Sequence, residues 1–155
     1  ASFENCIKYG VEYEAQRLLL TDMITDEQYG MLNFKNIKQF FNSTLWEKIK
    51  KSPKVYREKR FTVMDNSSSL LGKGNETVLV QGVIDLFFEN EDGTYTVVDY
   101  KTDKAHEGSE EILATRYKGQ ISYYAKAVKG ITGKEVSNGI IYSFALGKEI
   151  PIEIQ

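Results

Sequence analysis

Residues 80–101 read VQGVIDLFFENEDGTYTVVDYK, two apolar runs separated by a polar turn. The turn contains Asp92-Gly93, a dipeptide typical of tight β-hairpins. The flanking runs, residues 77–88 and 95–101, are rich in β-branched and aromatic side chains, which favour strands. The stretch therefore predicts two adjacent antiparallel strands joined by a short turn.

Each apolar run carries an aspartate where a hydrocarbon side chain is expected. A hairpin centred near Asp92 places Asp85 opposite Asp99, because each lies seven positions from that centre. Lys101 shares a strand face with Asp99, since side chains alternate along a strand. Two facing aspartates in an apolar setting repel each other unless a cation lies between them. Lys101 compensates one charge and a divalent ion compensates both, so the spacing favours an oxygen-ligated Mg²⁺ or Mn²⁺ site over a structural salt bridge.

Three motifs in this order carry a family resemblance. Residues 82–85 (GVID), 99–101 (DYK) and 120–124 (QISYY) resemble the GxxD, DxK and QxxxY motifs of RecB-like nucleases, members of the PD-(D/E)XK superfamily. Over residues 20–145 the chain is most similar to the C-terminal nuclease domain of AddA-type helicase–nuclease subunits. The resemblance implies an α/β fold: a restriction-endonuclease-like mixed β-sheet flanked by helices, with an N-terminal helical region.

The resemblance also implies roles for the hairpin residues. Asp85 and Asp99 would hold one or two Mg²⁺ or Mn²⁺ ions, with the backbone carbonyl of Tyr100 as a further ligand. Lys101 would position or deprotonate the attacking water, or neutralise negative charge on the phosphate.

A long amphipathic helix is predicted from an N-cap at Ser109 to about Val128, with Gly130 near its end. Gln120 and Tyr124 lie one turn apart on its apolar stripe. Taken alone they indicate a satisfied buried amide and a packing phenol. Taken with the hairpin carboxylates, they are predicted to orient a water at the metal, a carboxylate or a DNA phosphate.

Glu58 is the one acidic residue in segment 48–60, which holds seven basic side chains. It matches an acidic position in the family pattern and is either a third carboxylate near the metal or an ion-pair partner of Arg57 or Arg60. The basic side chains form either a phosphate-contacting edge or an ordinary solvated surface.

RecB-like relatives commonly carry a metal-ligating histidine in an upstream helix, and the sequence departs from this pattern. The single histidine here is His106, in a predicted polar loop. Either the segment with the upstream histidine lies outside this chain, or Glu58 takes its place. Full activity of the isolated chain is therefore an open question.

Length and composition bound the remaining possibilities. The 155 residues suit one domain with room for a hydrophobic core. The resemblance implies that it is a nuclease domain, with a helical cap at 1–50 and a catalytic core at 51–155, excised from a larger helicase–nuclease. The net charge of −2 does not indicate whole-surface attraction to nucleic acid. The single cysteine, Cys6, excludes an internal disulfide and a four-cysteine iron–sulfur cluster within this chain. With no apolar run of membrane-spanning length and no signal peptide, a cytoplasmic protein without membrane contact is expected.

The other elements follow from periodicity and capping signals. We predict helices over 3–20, from a cap at Thr25 with Gln28, and from a cap at Asn33 through Trp46. We predict strands over 55–64, 139–145 and 149–155, and a mobile loop over 65–75.

Together with the candidate metal site, the resemblance implies metal-dependent hydrolysis of DNA phosphodiesters. The resemblance implies exonuclease action on single-stranded DNA ends during recombinational repair of double-strand breaks, with a helicase region in the same polypeptide and an AddB-type second subunit. Two alternatives remain: a stand-alone phage or restriction-type nuclease, and a catalytically impaired DNA-binding or docking module.

Overall fold

The predicted hairpin forms the centre of a mixed sheet. The computed structural model describes residues 3–30, 33–65, 77–102 and 105–154. Within them, five strands pair in the order β1-β2-β3-β4-β5. The strands are β1 (Val55–Asp65), β2 (Val78–Glu89), β3 (Tyr95–Lys101), β4 (Val136–Ser143) and β5 (Lys148–Ile152). β3 and β4 are parallel, and the other three neighbouring pairs are antiparallel.

The hairpin register confirms the predicted centre. Leu86 pairs with Val98 and Glu89 with Tyr95, so the two strands are symmetric about Asp92. The turn is closed by local polar contacts: Asp92 Oδ1 accepts a hydrogen bond from the Thr94 N–H at 3.0 Å.

The parallel pairing of β3 with β4 requires a crossover, which a long helix provides. This helix, α6 (Glu110–Thr132), packs a buried stripe against the sheet. It is longer than predicted, because the residue that ends it in a left-handed conformation is Gly133, at φ 71°, and not Gly130. Ser109 stands at the predicted cap position, but its hydroxyl donates to the His106 carbonyl instead of accepting from the helix.

The chain divides into two compact units, residues 1–46 and 47–155. The preceding helices are α1 (Phe3–Tyr9), α2 (Val11–Leu20), α3 (Asp26–Gly30), α4 (Phe34–Phe41) and α5 (Thr44–Lys51). The single helix predicted over 3–20 is wrong: it is broken at Gly10, whose φ of 95° is incompatible with a continuous helix.

The capping predictions in this region are confirmed. Thr25 and Gln28 exchange hydrogen bonds of 2.9 and 3.1 Å between side chain and backbone, and Asn33 accepts from the Asn36 N–H. The helix from Asn33 does not reach Trp46, however. A new helix, α5, begins at Thr44, because the Ser43 hydroxyl accepts a hydrogen bond from the Trp46 N–H at 3.1 Å and so caps a new first turn.

The remaining strand predictions hold with shifted ends. β1 extends to Asp65, and the predicted loop at 65–75 otherwise lies outside the described residues. β4 begins three residues earlier than predicted, and β5 is an edge strand that contains Pro151. None of the described helices is both long and apolar enough to cross a bilayer.

We predict that Gly139→Ala destabilises the sheet–helix interface. A Cβ at Gly139 would lie 2.5 Å from Ile121 Cγ2, an atom of a fully buried side chain on α6. Because that contact cannot relax freely, the unfolding free energy should fall by about 1–3 kcal/mol. Urea denaturation measures it.

Gly130→Ala is the matched control. A Cβ at this exposed α6 position meets nothing within 4 Å, so the substitution should raise the unfolding free energy by about 0.5–1 kcal/mol. Equal stability of the Gly139 variant and the wild type would contradict the close packing described here.

Candidate metal centre

The two predicted carboxylates meet where β2 and β3 separate. Counted outward from the turn, the last backbone pair of these strands is Leu86 with Val98. Asp85 and Asp99 are the next residues on the two strands. The Tyr100 N–H donates to Asp85 Oδ2 at 2.8 Å. A side-chain bond thus spans the gap at the point where the strands part, and it fixes Asp85 against β3.

Asp99 is buried, with only 3% of its surface exposed. Lys101 Nζ lies 2.8 Å from Asp99 Oδ2, but this ion pair lacks the alignment of a hydrogen bond. Among the described residues, no aligned donor satisfies that oxygen. A buried carboxylate oxygen in this condition is costly, and a bound cation would relieve the cost.

Asp85 is half-buried beside this charge. Burial raises the pKa of Asp85 to about 6; the hydrogen bond from the Tyr100 N–H opposes the rise, and the negative charge of Asp99 adds to it. Lys101 offsets only part of this effect. The pair therefore carries uncompensated negative charge when both carboxyls are ionised.

The predicted helix residues reach the same site. Lys101 Nζ donates to Gln120 Oε1 at 3.2 Å, and Gln120 Nε2 donates to the Tyr124 hydroxyl at 2.9 Å. The lysine ammonium also lies 4.2 Å from the centre of the Tyr117 ring. A polar chain thus runs from Asp99 through Lys101 and Gln120 to Tyr124.

Tyr117 is the residue that the sequence analysis missed as part of the site. It lies three residues before Gln120, so helical periodicity already placed it on the same face. That spacing predicts a buried tyrosine but does not show that its ring lies beside an ammonium group.

Tyr124 is a neutral phenol at the end of this series of polar contacts. Burial raises its pKa to about 12, and the charges of Asp99 and Asp85 act in the same direction. Its ring packs edge-on against Phe61, with centroids 5.4 Å apart. The phenol therefore anchors Gln120 without adding charge.

Glu58 and His106 are not gathered into a larger ligand cluster. The pairing of β1 with β2 places Glu58 opposite Asp85, but its side chain is exposed. His106 is exposed in the loop before α6. In the described part of the chain, no group of three or more His, Cys, Asp or Glu side chains could hold a metal. The ligand roles of Glu58 and of the Tyr100 carbonyl stay predictions.

The donor set fits a hard divalent cation. It offers two carboxylates, one with an unsatisfied buried oxygen, and no thiolate or imidazole from the described residues. Mg²⁺ and Mn²⁺ favour oxygen ligands and retain several waters, so they need few protein side chains.

Comparison with known proteins identifies the family of this chain. The sequence profile of the PD-(D/E)XK nuclease superfamily matches residues 10–149. This chain belongs to the PD-(D/E)XK nuclease superfamily. The predicted α/β fold, a mixed sheet flanked by helices, is therefore the fold of this nuclease superfamily.

Two relatives of this PD-(D/E)XK chain are ATP-dependent helicase/nuclease subunits A. The protein from Clostridium perfringens (strain SM101 / Type A) is 38% identical over 153 residues, which cover 92% of this chain and 12% of the relative. The protein from Listeria welshimeri is 40% identical over 132 residues, covering 79% and 11%. The chain thus spans about an eighth of the length of these relatives. It is also similar to the protein in the crystal structure of SSO0001, at 16% identity and a TM-score of 0.48 over 96% of this chain and 63% of that one.

We predict that Asp85→Asn stabilises the metal-free chain at neutral pH. The amide still accepts from the Tyr100 N–H but removes the charge facing Asp99. Because the folded-state pKa of about 6 exceeds the ordinary value of 3.8, the folded chain takes up this proton more readily than the unfolded chain. The unfolding free energy of the wild type should therefore fall as pH rises through about 6.

Denaturation in EDTA at about pH 8 and about pH 4 measures this effect. The Asn variant should exceed the wild type at the higher pH, and the difference should shrink at the lower one. A variant less stable than the wild type at the higher pH would show that the Asp85 charge is already compensated without metal.

Proposed function

We propose that this nuclease domain hydrolyses DNA phosphodiester bonds with the help of Mg²⁺ or Mn²⁺. The observation that carries the proposal is the pair of facing carboxylates with an unsatisfied buried oxygen on Asp99. Lys101 supplies one positive charge to the two carboxylates, and a divalent cation would balance the remaining negative charge.

Asp85 and Asp99 would hold the ion, with the Tyr100 carbonyl as a further ligand. When bound there, the ion would supply Lewis-acid chemistry, neutralising negative charge on the phosphate and lowering the pKa of a water. The Tyr100 N–H holds Asp85 in place, and the buried position of Asp99 keeps its carboxylate from turning toward solvent.

Lys101 would act as a fixed positive charge beside the phosphate. Its ammonium is held on three sides, by Asp99, by Gln120 and by the Tyr117 ring. Held in this way, the ammonium would neutralise negative charge on the phosphate. Gln120 and Tyr124 would keep the ammonium at this position.

The basic side chains on β1 support DNA as the substrate. Arg57, Lys59 and Arg60 are exposed and flank Glu58, which faces Asp85 across the strand pair. Phosphate contacts from this edge would bring a strand to the carboxylates without an overall positive charge on the domain.

The names of the relatives support a place in a larger protein. We infer that the domain acts as the exonuclease of an ATP-dependent helicase/nuclease, with a helicase region in the same polypeptide and an AddB-type partner. It would cut single-stranded DNA ends during double-strand break repair by recombination.

Cleavage of a labelled single strand by the wild type and by Asp99→Asn tests the chemistry. With Mn²⁺ or Mg²⁺ present, the variant should be slower by about 100-fold or more, because it removes a metal ligand. Glu91→Gln is the matched control, since it removes an exposed carboxylate from the turn of the same hairpin. It should cleave at the wild-type rate.

The same assay separates the alternatives. Equal rates for Asp99→Asn and wild type would end the catalytic assignment. A folded wild type that neither binds Mn²⁺ nor cleaves DNA would favour the docking-module alternative.

A further inference from the structure

Glu58 has an unusual backbone conformation in the middle of a strand. Its φ is 50°, in the left-handed region that side-chain-bearing residues rarely adopt. The only other described non-glycine residue with positive φ is Asp22, which lies in the turn after α2. Glu58, by contrast, lies within β1 and is directly opposite Asp85.

The side-chain alternation of β2 reverses at Asp85. Ile84 is part of the hydrophobic core on the α6 side, and Val80 packs against that core. The alternate residues Leu79 and Val83 are 56% and 43% exposed. The next core side chain is Phe87, three residues after Ile84. In a regular strand, side chains on the same face are an even number of residues apart. Ile84 and Phe87 are three apart, so the strand changes face between them.

The alternation of β1 reverses at the same place. The Tyr56 ring stacks on Phe87 at 4.7 Å, on the core side. Phe61, five residues later, packs against Tyr124 in the same core. The separation of five residues is odd, so β1 also changes face, and Glu58 lies between the two aromatic residues.

The reversal involves no inserted residue. Arg57 pairs with Leu86 and Lys59 with Ile84, so the register is unchanged across the break. The single unpaired position between them is Glu58 opposite Asp85. The strained backbone of one strand therefore accompanies the reorientation of the other.

We propose that Glu58 is a positioning residue whose left-handed backbone turns Asp85 toward the Tyr100 N–H and Asp99, and that its side chain is not a metal ligand. This inference rests on the proposed metal centre. The sequence left open whether Glu58 is a third carboxylate near the metal. A backbone role and a ligand role predict opposite effects of substitutions at Glu58.

A substitution series at Glu58 tests the proposal. Glycine has no Cβ penalty at positive φ and asparagine tolerates it, whereas a β-branched valine does not. Glu58→Gly and Glu58→Asn should keep Asp85 in place even though both remove the carboxylate. Glu58→Val should displace it.

Two readouts are needed, one of them independent of metal. Amide hydrogen exchange of Tyr100 in EDTA reports the Asp85–Tyr100 hydrogen bond, and Mn²⁺ titration followed by electron paramagnetic resonance reports the site. The Val variant should show about tenfold faster exchange and about tenfold weaker Mn²⁺ binding, whereas the Gly and Asn variants should match the wild type. Gln81→Val, an exposed position on β2, is the matched control and should change neither readout.

Two outcomes of this series would overturn the proposal. Loss of Mn²⁺ affinity in all three variants, with Tyr100 exchange unchanged, would make Glu58 a ligand. Wild-type behaviour of the Val variant would show that the left-handed backbone is not required. If the Val variant does not fold, Glu58→Ala provides the intermediate strain, and it must shift both readouts in the same direction. A wild type that binds no Mn²⁺ would refute the proposed function, while Tyr100 exchange still tests the backbone role.

Discussion

The repulsion between Asp85 and Asp99 is the constraint on which the centre of this domain depends. Hairpin pairing brings the two side chains together, and the surrounding apolar strands remove most of the water that would screen them. Two groups stabilise the carboxylates: the Tyr100 N–H donates to Asp85, and the Lys101 ammonium pairs with Asp99. One ammonium cannot balance two carboxylates, so the site carries an excess of negative charge when both are ionised.

The topology explains why helix and hairpin residues share one site. β3 runs parallel to β4, so the chain must return along the sheet before β4 can begin. The returning helix, α6, lies on the sheet face that carries Lys101, and its polar pair Gln120 and Tyr124 is positioned beside the ammonium. The one-turn spacing places the two side chains on one face of the helix, where Gln120 reaches Lys101 and the Tyr124 hydroxyl holds Gln120.

The hairpin and its carboxylates could be predicted because local signals determine them. The Asp92-Gly93 turn fixes the register, and the register fixes which residues face each other. The spacing of Gln120 and Tyr124 on an amphipathic helix is equally local. The breaks at Gly10 and before Trp46 were missed because apolar periodicity continues across them, and only the backbone conformation or a capping hydroxyl ends each helix. The reversal at Glu58 could not be predicted at all, since nothing in a glutamate favours positive φ. It accompanies two odd-numbered steps between core-facing side chains, from Tyr56 to Phe61 on β1 and from Ile84 to Phe87 on β2.

The central claim is that Asp85 and Asp99 together hold one divalent ion. Anomalous diffraction from crystals grown with Mn²⁺ tests it most directly, because the scattering locates the ion without reference to activity. The account predicts a strong anomalous peak between the two carboxylates, coordinated by an oxygen from each. A difference map with no peak there, or with Mn²⁺ bound only at other carboxylates, would contradict it.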